Sequence, residues 1–333
     1  MEHAVDNSGE RDYGGKIADV ATTLAGWDGP VVLIAHVDPD GDALGSTLAM
    51  KRALDALGKQ TVLAIEPPAY LTFLTQPGET RGALDALPQG TLACVLDVAD
   101  RHRAWGAPLE QAAFTVNLDH HGTNERFGDL ALVEPRAAAT ALIVKDVIDA
   151  LPVAWTEPMA TPCLTGILTD TGTFRFANTD RAVLSAAGEL IEHGVDYPAL
   201  ADRLQWRPQG YFRLLAAVMG TVRFPLHGRA ALAHLTESMK EGLGAVDDGD
   251  DFVGLIRYAE GAYVAALLKQ KEDAVKVSVR ARAPVSAQAI CMELGGGGHV
   301  AAAGAKFSGP DLAAAEAQLV AAIERELGRH DLA

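Results

Sequence analysis

The stretch Val31-Val32-Leu33-Ile34-Ala35-His36-Val37-Asp38-Pro39-Asp40-Gly41-Asp42-Ala43 decides how this chain folds. Val31 to Ala35 is an unbroken apolar run, the pattern of a parallel strand buried on both faces. A helix is expected next, because Ala43, Thr47, Met50, Leu54 and Leu57 recur at helical spacing and Gly58 ends the pattern. The polar turn between them holds one histidine and three aspartates. Gly41 permits a tight backbone path, so the Asp40 and Asp42 carboxylates can aim at different ions. Asp42 also lies near a helix N-terminus, which favours its anion. Turn formation and capping are the alternative role for these acids, and Asp38 is read as non-ligating.

The same alternation continues outward. Thr61 to Ile65, Leu92 to Leu96 and Phe114 to Leu118 read as strands, while Ala137 to Ala150 and about Met159 to Thr169 read as helices. Strands alternating with helices imply a parallel sheet covered on both faces. Ligands of such sheets collect outside the carboxyl ends of the strands. His36, Asp97 and Asp119 each follow a strand, so three polar clusters fall on one edge.

Further along, Ala182 to Met219 reads as largely helical, interrupted at Trp206-Arg207-Pro208. Ala262 to Lys269 and Val275 to Ala281 read as adjacent strands, and Val285 to Leu294 as a helix leading into Gly295-Gly296-Gly297-Gly298-His299. Asp311 to Leu327 reads as a closing helix, and the acidic run Asp247-Asp248-Gly249-Asp250-Asp251 as a solvated loop. The fold class is therefore α/β, an N-terminal parallel-sheet domain flanked by helices plus a smaller α/β C-terminal domain.

Composition narrows the function. A net charge of −16 argues against coating a long nucleic acid. It leaves room for a small anionic substrate, since bound metals supply local positive charge. From Phe252 to Lys306 there are seven Lys or Arg against four Asp or Glu, which marks this stretch as a candidate phosphate surface. Cys94, Cys163 and Cys291 are far apart among apolar neighbours, so buried thiols in a reducing cytoplasm are expected. No apolar run approaches the roughly 18 residues a membrane helix needs, so no membrane partner is expected.

Crowded carboxylates repel and do not ionise together without compensation. Five segments combining Asp and His therefore point to bound cations, two of them. Asp97, after Cys94-Val95-Leu96, is placed to bridge two metals, or else to pair with Arg101 or Arg103. In Asp119-His120-His121 adjacent rings face opposite ways on extended backbone. One can bind metal and the other substrate, with Asp119 orienting a ring. Asp170 by itself reads as a polar helix terminus. The glycine run exposes backbone N–H groups before an expected helix near His299, an arrangement suited to phosphate, or else it is a flexible turn.

Taken in order, Ala35 to Ser46, Asp97, Asp119-His120-His121, Asp170 and Gly295 to Gly304 resemble the DHH phosphoesterase superfamily with a DHH-associated C-terminal domain. Within it the chain is most similar to the bacterial oligoribonuclease and pAp-phosphatase group. The resemblance implies that His36, Asp40 and Asp97 hold one metal, and that Asp42, Asp97, His120 and Asp170 hold a second. It gives His121 and Asp97 catalytic roles, His121 at the scissile phosphate. Ser278, Arg280, Gly296, Gly297, Gly298 and His299 would meet the substrate. The implied cofactors are two divalent ions, Mn2+ with Mg2+ or Co2+ as alternatives.

The implied activity is hydrolysis of short RNA oligonucleotides to mononucleotides and dephosphorylation of pAp, in the cytoplasm, with a homodimer compatible. A cyclic di-AMP or linear dinucleotide phosphodiesterase is the enzymatic alternative. Inorganic pyrophosphatase suits the Arg280 region less well. A nucleotide-binding regulatory module is the non-enzyme alternative, set against by the filled ligand positions. Expected boundaries are a loose tail over 1–16, a DHH catalytic domain over 17–190, a helical linker over 191–220 and a DHH-associated substrate-binding domain over 221–330.

Overall fold

The computed structural model describes residues 8–243, 249 and 251–332. Two compact units divide the chain, one ending at Trp206 and the other beginning at Arg207.

In the first unit, α1 (Ser8–Gly26) leads into β1 (Val31–His36), α2 (Gly41–Ala56), β2 (Thr61–Ala64), β3 (Thr80–Arg81), β4 (Leu92–Leu96), β5 (Ala104–Trp105), β6 (Phe114–Asp119) and β7 (Leu130–Val133). Helices α3 (Thr140–Ala150), α4 (Glu157–Asp170), α5 (Arg181–Glu192) and α6 (Tyr197–Gln205) follow. The sheet runs β3-β2-β1-β4-β6-β7 with every pairing along that path parallel, and β5 adds antiparallel to the end of β1. Val31 to Ile34 and Leu92 to Leu96 are completely buried, which is why these strands read as continuous apolar runs rather than alternating ones. The two sides of β1 enter different cores. Leu33 joins one with Leu44, Leu48 and Ile167 from α2 and α4, while Val32 and Ile34 join a smaller one with Val95 and Leu109.

The loose tail expected through Lys16 is corrected from Ser8 onward. Ser8–Gly26 is helical; Val20 and Leu24 are buried, Ile17 packs beside them, and the Tyr13 hydroxyl donates to Asp146 Oδ2 at 2.9 Å. Its apolar stripe is hidden in the sequence because it follows a polar first turn and the pair Gly14-Gly15. Residues 1–7 of that expected tail lie outside the described residues.

The second unit holds α7 (Gln209–Met219), β8 (Ala230–Leu235), α8 (Phe252–Ile256), β9 (Val264–Gln270), β10 (Ala274–Ala281), α9 (Ala287–Glu293), β11 (Gly297–Gly298), β12 (Ala302–Ser308) and α10 (Leu312–Gly328). Its sheet runs β11-β12-β10-β9-β8 and is mixed, because β8 pairs parallel to β9 while the other pairs are antiparallel. Val275, Val277 and Val279 of β10 pack under α9 and α10. The expected helical linker is not a separate body: Leu200 and Leu204 of α6 belong to the first unit's core, and Leu214 and Val218 of α7 to the second's. Asp247, Asp248 and Asp250 of the acidic run lie outside the described residues.

The helix expected near His299 is absent. His299 N–H donates to Ala302 O at 2.8 Å and Ala302 N–H returns to His299 O at 3.1 Å, so a tight turn joins β11 to β12. The glycine run thus becomes a hairpin, because pairing with β12 satisfies its backbone. Cys94, Cys163 and Cys291 are buried free thiols. Among the described residues, no helix is long and apolar enough to cross a membrane.

Candidate metal centre

At the carboxyl edge of the first sheet, β1 ends in His36, the chain leaves β4 at Asp97, and β6 ends in Asp119 followed by His120 and His121. Parallel order brings these three ends side by side. Helices α2 and α4 complete the edge, with Asp40 and Asp42 at the start of one and Asp170 at the end of the other.

Asp97 sits at the centre. Its φ of 61° is in the left-handed region, a conformation that non-glycine residues keep only when the surroundings enforce it. The enforcement is visible. Its N–H donates to Leu118 O at 2.9 Å, and the Thr140 hydroxyl donates to its Oδ1 at 2.8 Å. Nε2 of His36 lies 3.7 Å from Oδ2, and Nε2 of His120 lies 3.7 Å from Oδ1. Arg101 and Arg103 are not among its ion-pair partners. Burial alone would raise its pKa, but His36, His120 and Thr140 outweigh burial and hold the carboxyl below the usual carboxylate range.

Asp42 is fully buried, yet both oxygens are held. Thr140 N–H donates to one at 2.6 Å, and Ala141 N–H (2.9 Å) and the Ser46 hydroxyl (3.1 Å) donate to the other. Thr140 and Ala141 open α3, so two helix N-termini converge on this carboxylate, each favouring an anion. Even so, burial together with the charges of Asp97 and Asp170 keeps its pKa well above the ordinary value. Asp170 is raised to about 8, first by burial and then by Asp97 and Asp40. Asp40 acts as the N-cap of α2, its Oδ1 accepting from Asp42 N–H and Ala43 N–H. That capping role coexists with a position 3.9 Å from His36 Nε2.

Backbone carbonyls fix the histidine protons. Carbonyls only accept, so His36 Nδ1 donates to Val37 O (2.8 Å) and His120 Nδ1 to Ala137 O (3.2 Å). Nε2 of each ring is thereby presented to the acids, the arrangement of a metal-binding imidazole. His121 differs. Its Nδ1 donates to Asp119 Oδ1 at 2.8 Å, and that hydrogen bond raises its pKa to about 9.

Among the described residues, three overlapping groups each have ligand atoms within 4.8 Å of one another: His36, Asp40 and Asp97; Asp42, His120 and Asp170; and Asp97, His120 and His121. Carboxylates this close raise one another's pKa, and divalent charge among them removes that cost. The donor set of aspartate oxygens and imidazole nitrogens therefore fits a metal centre. Asp38 belongs to none of the groups.

Two supports escaped the sequence reading. Thr140 holds Asp97 and Asp42 at once, but the helix expected from Ala137 placed it in an interior turn. Asn124 Nδ2 donates to Asp119 Oδ2 at 2.6 Å and to Asn117 Oδ1 at 2.9 Å, fixing the carboxylate behind His121. Its signal was an Asn five residues after Asp119 in a turn-rich stretch.

In the second unit, Ser278 and Arg280 share one face of β10, and Gly297 lies across from Gly304 on the same side. Arg280 lines a small hollow with Arg257 and Arg282. His299 is exposed at the hairpin turn. The glycines are not equivalent. A Cβ at Gly296 would lie 2.1 Å from Gly304 O, and one at Gly298, whose φ is 140°, would lie 2.6 Å from Ala303 Cα. Both are glycine because the hairpin demands it, whereas a Cβ at Gly297 meets nothing within 4 Å.

Residues 30–167 match the DHH family, N-terminal domain, and residues 247–328 the DHHA1 domain. A bifunctional oligoribonuclease and PAP phosphatase NrnA of Thermus thermophilus is 50% identical over 323 residues, covering 97% of this chain and 98% of that protein. The chain belongs to the DHH phosphoesterase family. The DHH protein of the same description from Bacillus subtilis is 25% identical over 294 residues, 87% of this chain and 92% of that one. The fold matches the crystal structure of an exopolyphosphatase-related protein from Bacteroides fragilis, with a TM-score of 0.81 and 21% identity over 93% of this chain and 96% of that one.

Proposed function

We propose that this DHH phosphoesterase hydrolyses short RNA oligonucleotides to mononucleotides and removes phosphate from pAp, with two divalent cations, Mn2+ first among them. The observation that carries the reading is the sharing of Asp97 and His120 between overlapping ligand groups, in a chain half identical to an oligoribonuclease and PAP phosphatase along its whole length. In this reading His36, Asp40 and Asp97 hold one ion, and Asp42, Asp97, His120 and Asp170 hold the other. Divalent cations bound there supply Lewis-acid charge that activates water and polarises a phosphoryl group.

The chain's own residues do the rest. Thr140 and α3 fix the two buried carboxylates, so little reorganisation accompanies binding. With its Nδ1 proton committed to Asp119, His121 directs Nε2 to the substrate and can pass a proton to the leaving oxygen. Arg280, Ser278, Gly297 and His299 offer the second unit's contacts to substrate phosphate.

The test is a manganese-dependent product time course on labelled di- to pentaribonucleotides, pAp and cyclic di-AMP. Mononucleotides from the oligomers and AMP from pAp are expected. Cyclic di-AMP cleavage with inert RNA oligomers would replace this reading by the phosphodiesterase alternative.

A further inference from the structure

The polar face of the second unit's sheet continues past Arg280. On β10, Lys276, Ser278 and Arg280 alternate with the core residues Val275, Val277 and Val279. Pairing register sets Lys276 directly opposite Lys306 of β12 on one side and Lys269 of β9 on the other. Like charges placed opposite one another destabilise a sheet, and no packing need explains them here. Lys269 is buried in the half of this face where Ala265 and Leu267 pack with Leu214, Phe252 and Val253 of α7 and α8. Toward β12 and β11 the face is open, with Lys276, Lys306 and Gly297 exposed.

Two further observations point to an anionic ligand. Lys276 has no ion-pair partner among the described residues, and Lys306 reaches only the exposed Asp273, at 3.8 Å. Gly297 has neither a positive φ nor a neighbour that a Cβ would strike. A strand glycine without a packing reason marks a place where a ligand or backbone approaches closely. Together with Gly304, which faces both Ser278 and Gly297 in register, it leaves a low floor beside the basic row.

We propose that Lys276 and Lys306 form a second phosphate subsite, which grips the sugar-phosphate backbone of substrates longer than a dinucleotide. This rests on the oligoribonuclease reading above. Lys276 stands four residues from Arg280, about 13 Å along an extended strand. That exceeds the single phosphate-to-phosphate step of pAp or of a dinucleotide, so the subsite discriminates by length. Both residues sit on β10, so the strand itself sets the spacing of their backbones.

The experiment measures kcat/KM on pAp and on a pentaribonucleotide for the wild type, Lys276→Gln and Lys276→Gln/Lys306→Gln. In parallel, anisotropy follows metal-free binding of a labelled pentaribonucleotide across a salt series. The ratio of kcat/KM on the pentamer to that on pAp should fall about tenfold in the double variant. The slope of log affinity against log salt should become shallower by about 0.7 for each lysine removed. A ratio and slope equal to the wild type's would overturn the subsite. A wild type that binds the pentamer with the lysine-dependent slope but hydrolyses no oligomer would keep the subsite and overturn the activity, so the two readings fail separately.

Discussion

The acidic edge of the first unit and the basic face of the second solve opposite problems with opposite means. At the edge, Asp42 and Asp97 are buried, both oxygens of Asp42 accept hydrogen bonds and Oδ1 of Asp97 accepts one from Thr140. On the face, Lys276 and Lys306 stand in solvent with little to hold them. Charges of one sign that are buried must be fixed by the fold and compensated by a counterion, since the cost of leaving them alone is several kcal/mol. Exposed charges are screened and contribute in a graded way. A substitution at the edge should therefore act as a switch, and one on the face as a dial.

The largest effect is expected at the edge. Asp97→Asn should lower turnover by about a thousandfold or more, roughly 4 kcal/mol in the barrier. Asn tolerates the left-handed backbone that this position requires, so the metal-free variant should melt no lower than the wild type. Near-normal turnover in a folded Asp97→Asn protein would break the comparison. Next comes metal itself. Manganese at about 100 times its dissociation constant should stabilise the wild type by about 2.7 kcal/mol, measured as a melting-temperature rise that disappears in Asp97→Asn.

Thr140→Val removes the hydroxyl that donates to Asp97 but leaves the α3 N–H groups on Asp42. A loss of about 10- to 100-fold in metal affinity is expected, read by titration calorimetry. An unchanged affinity would mean that the backbone alone fixes the edge.

Protons can stand in for metal, which sharpens the contrast further. Asp170 and Asp42 have raised pKa values in the folded chain, so the folded state takes up protons that the unfolded chain has already lost. His36 and His121 are raised as well and release their protons later when folded. All four act in one direction, so the metal-free protein should be more stable at pH 5 than at pH 8. Saturating manganese should flatten that slope. Denaturant midpoints across this range check the sign. The smallest effect belongs to the face: Lys276→Gln should change stability by no more than about 0.5 kcal/mol, with its consequence confined to substrate length and salt dependence.

Much of the edge is legible in the sequence. Buried parallel strands must be apolar throughout, so Val31 to Ala35 and Leu92 to Leu96 declared themselves, and a carboxylate directly after such a run has few structural reasons to be there. The glycine run was legible only as an exception, since the same letters serve a helix N-terminus or a hairpin. Pairing between Gly297 and Gly304 decided for the hairpin.

Local pattern thus determined the buried strands β1, β4 and β6 and the helices α2 and α4, because hydrophobic period and turn chemistry act over a few neighbours. Tertiary structure decided what holds those residues. Thr140 reaches Asp42 across 98 positions of sequence, and α1 finds its apolar cover only once α3 exists to receive it. Contacts of that separation follow from the order of strands in the sheet, which places the ends of β1, β4 and β6 together, and no run of adjacent letters encodes that order.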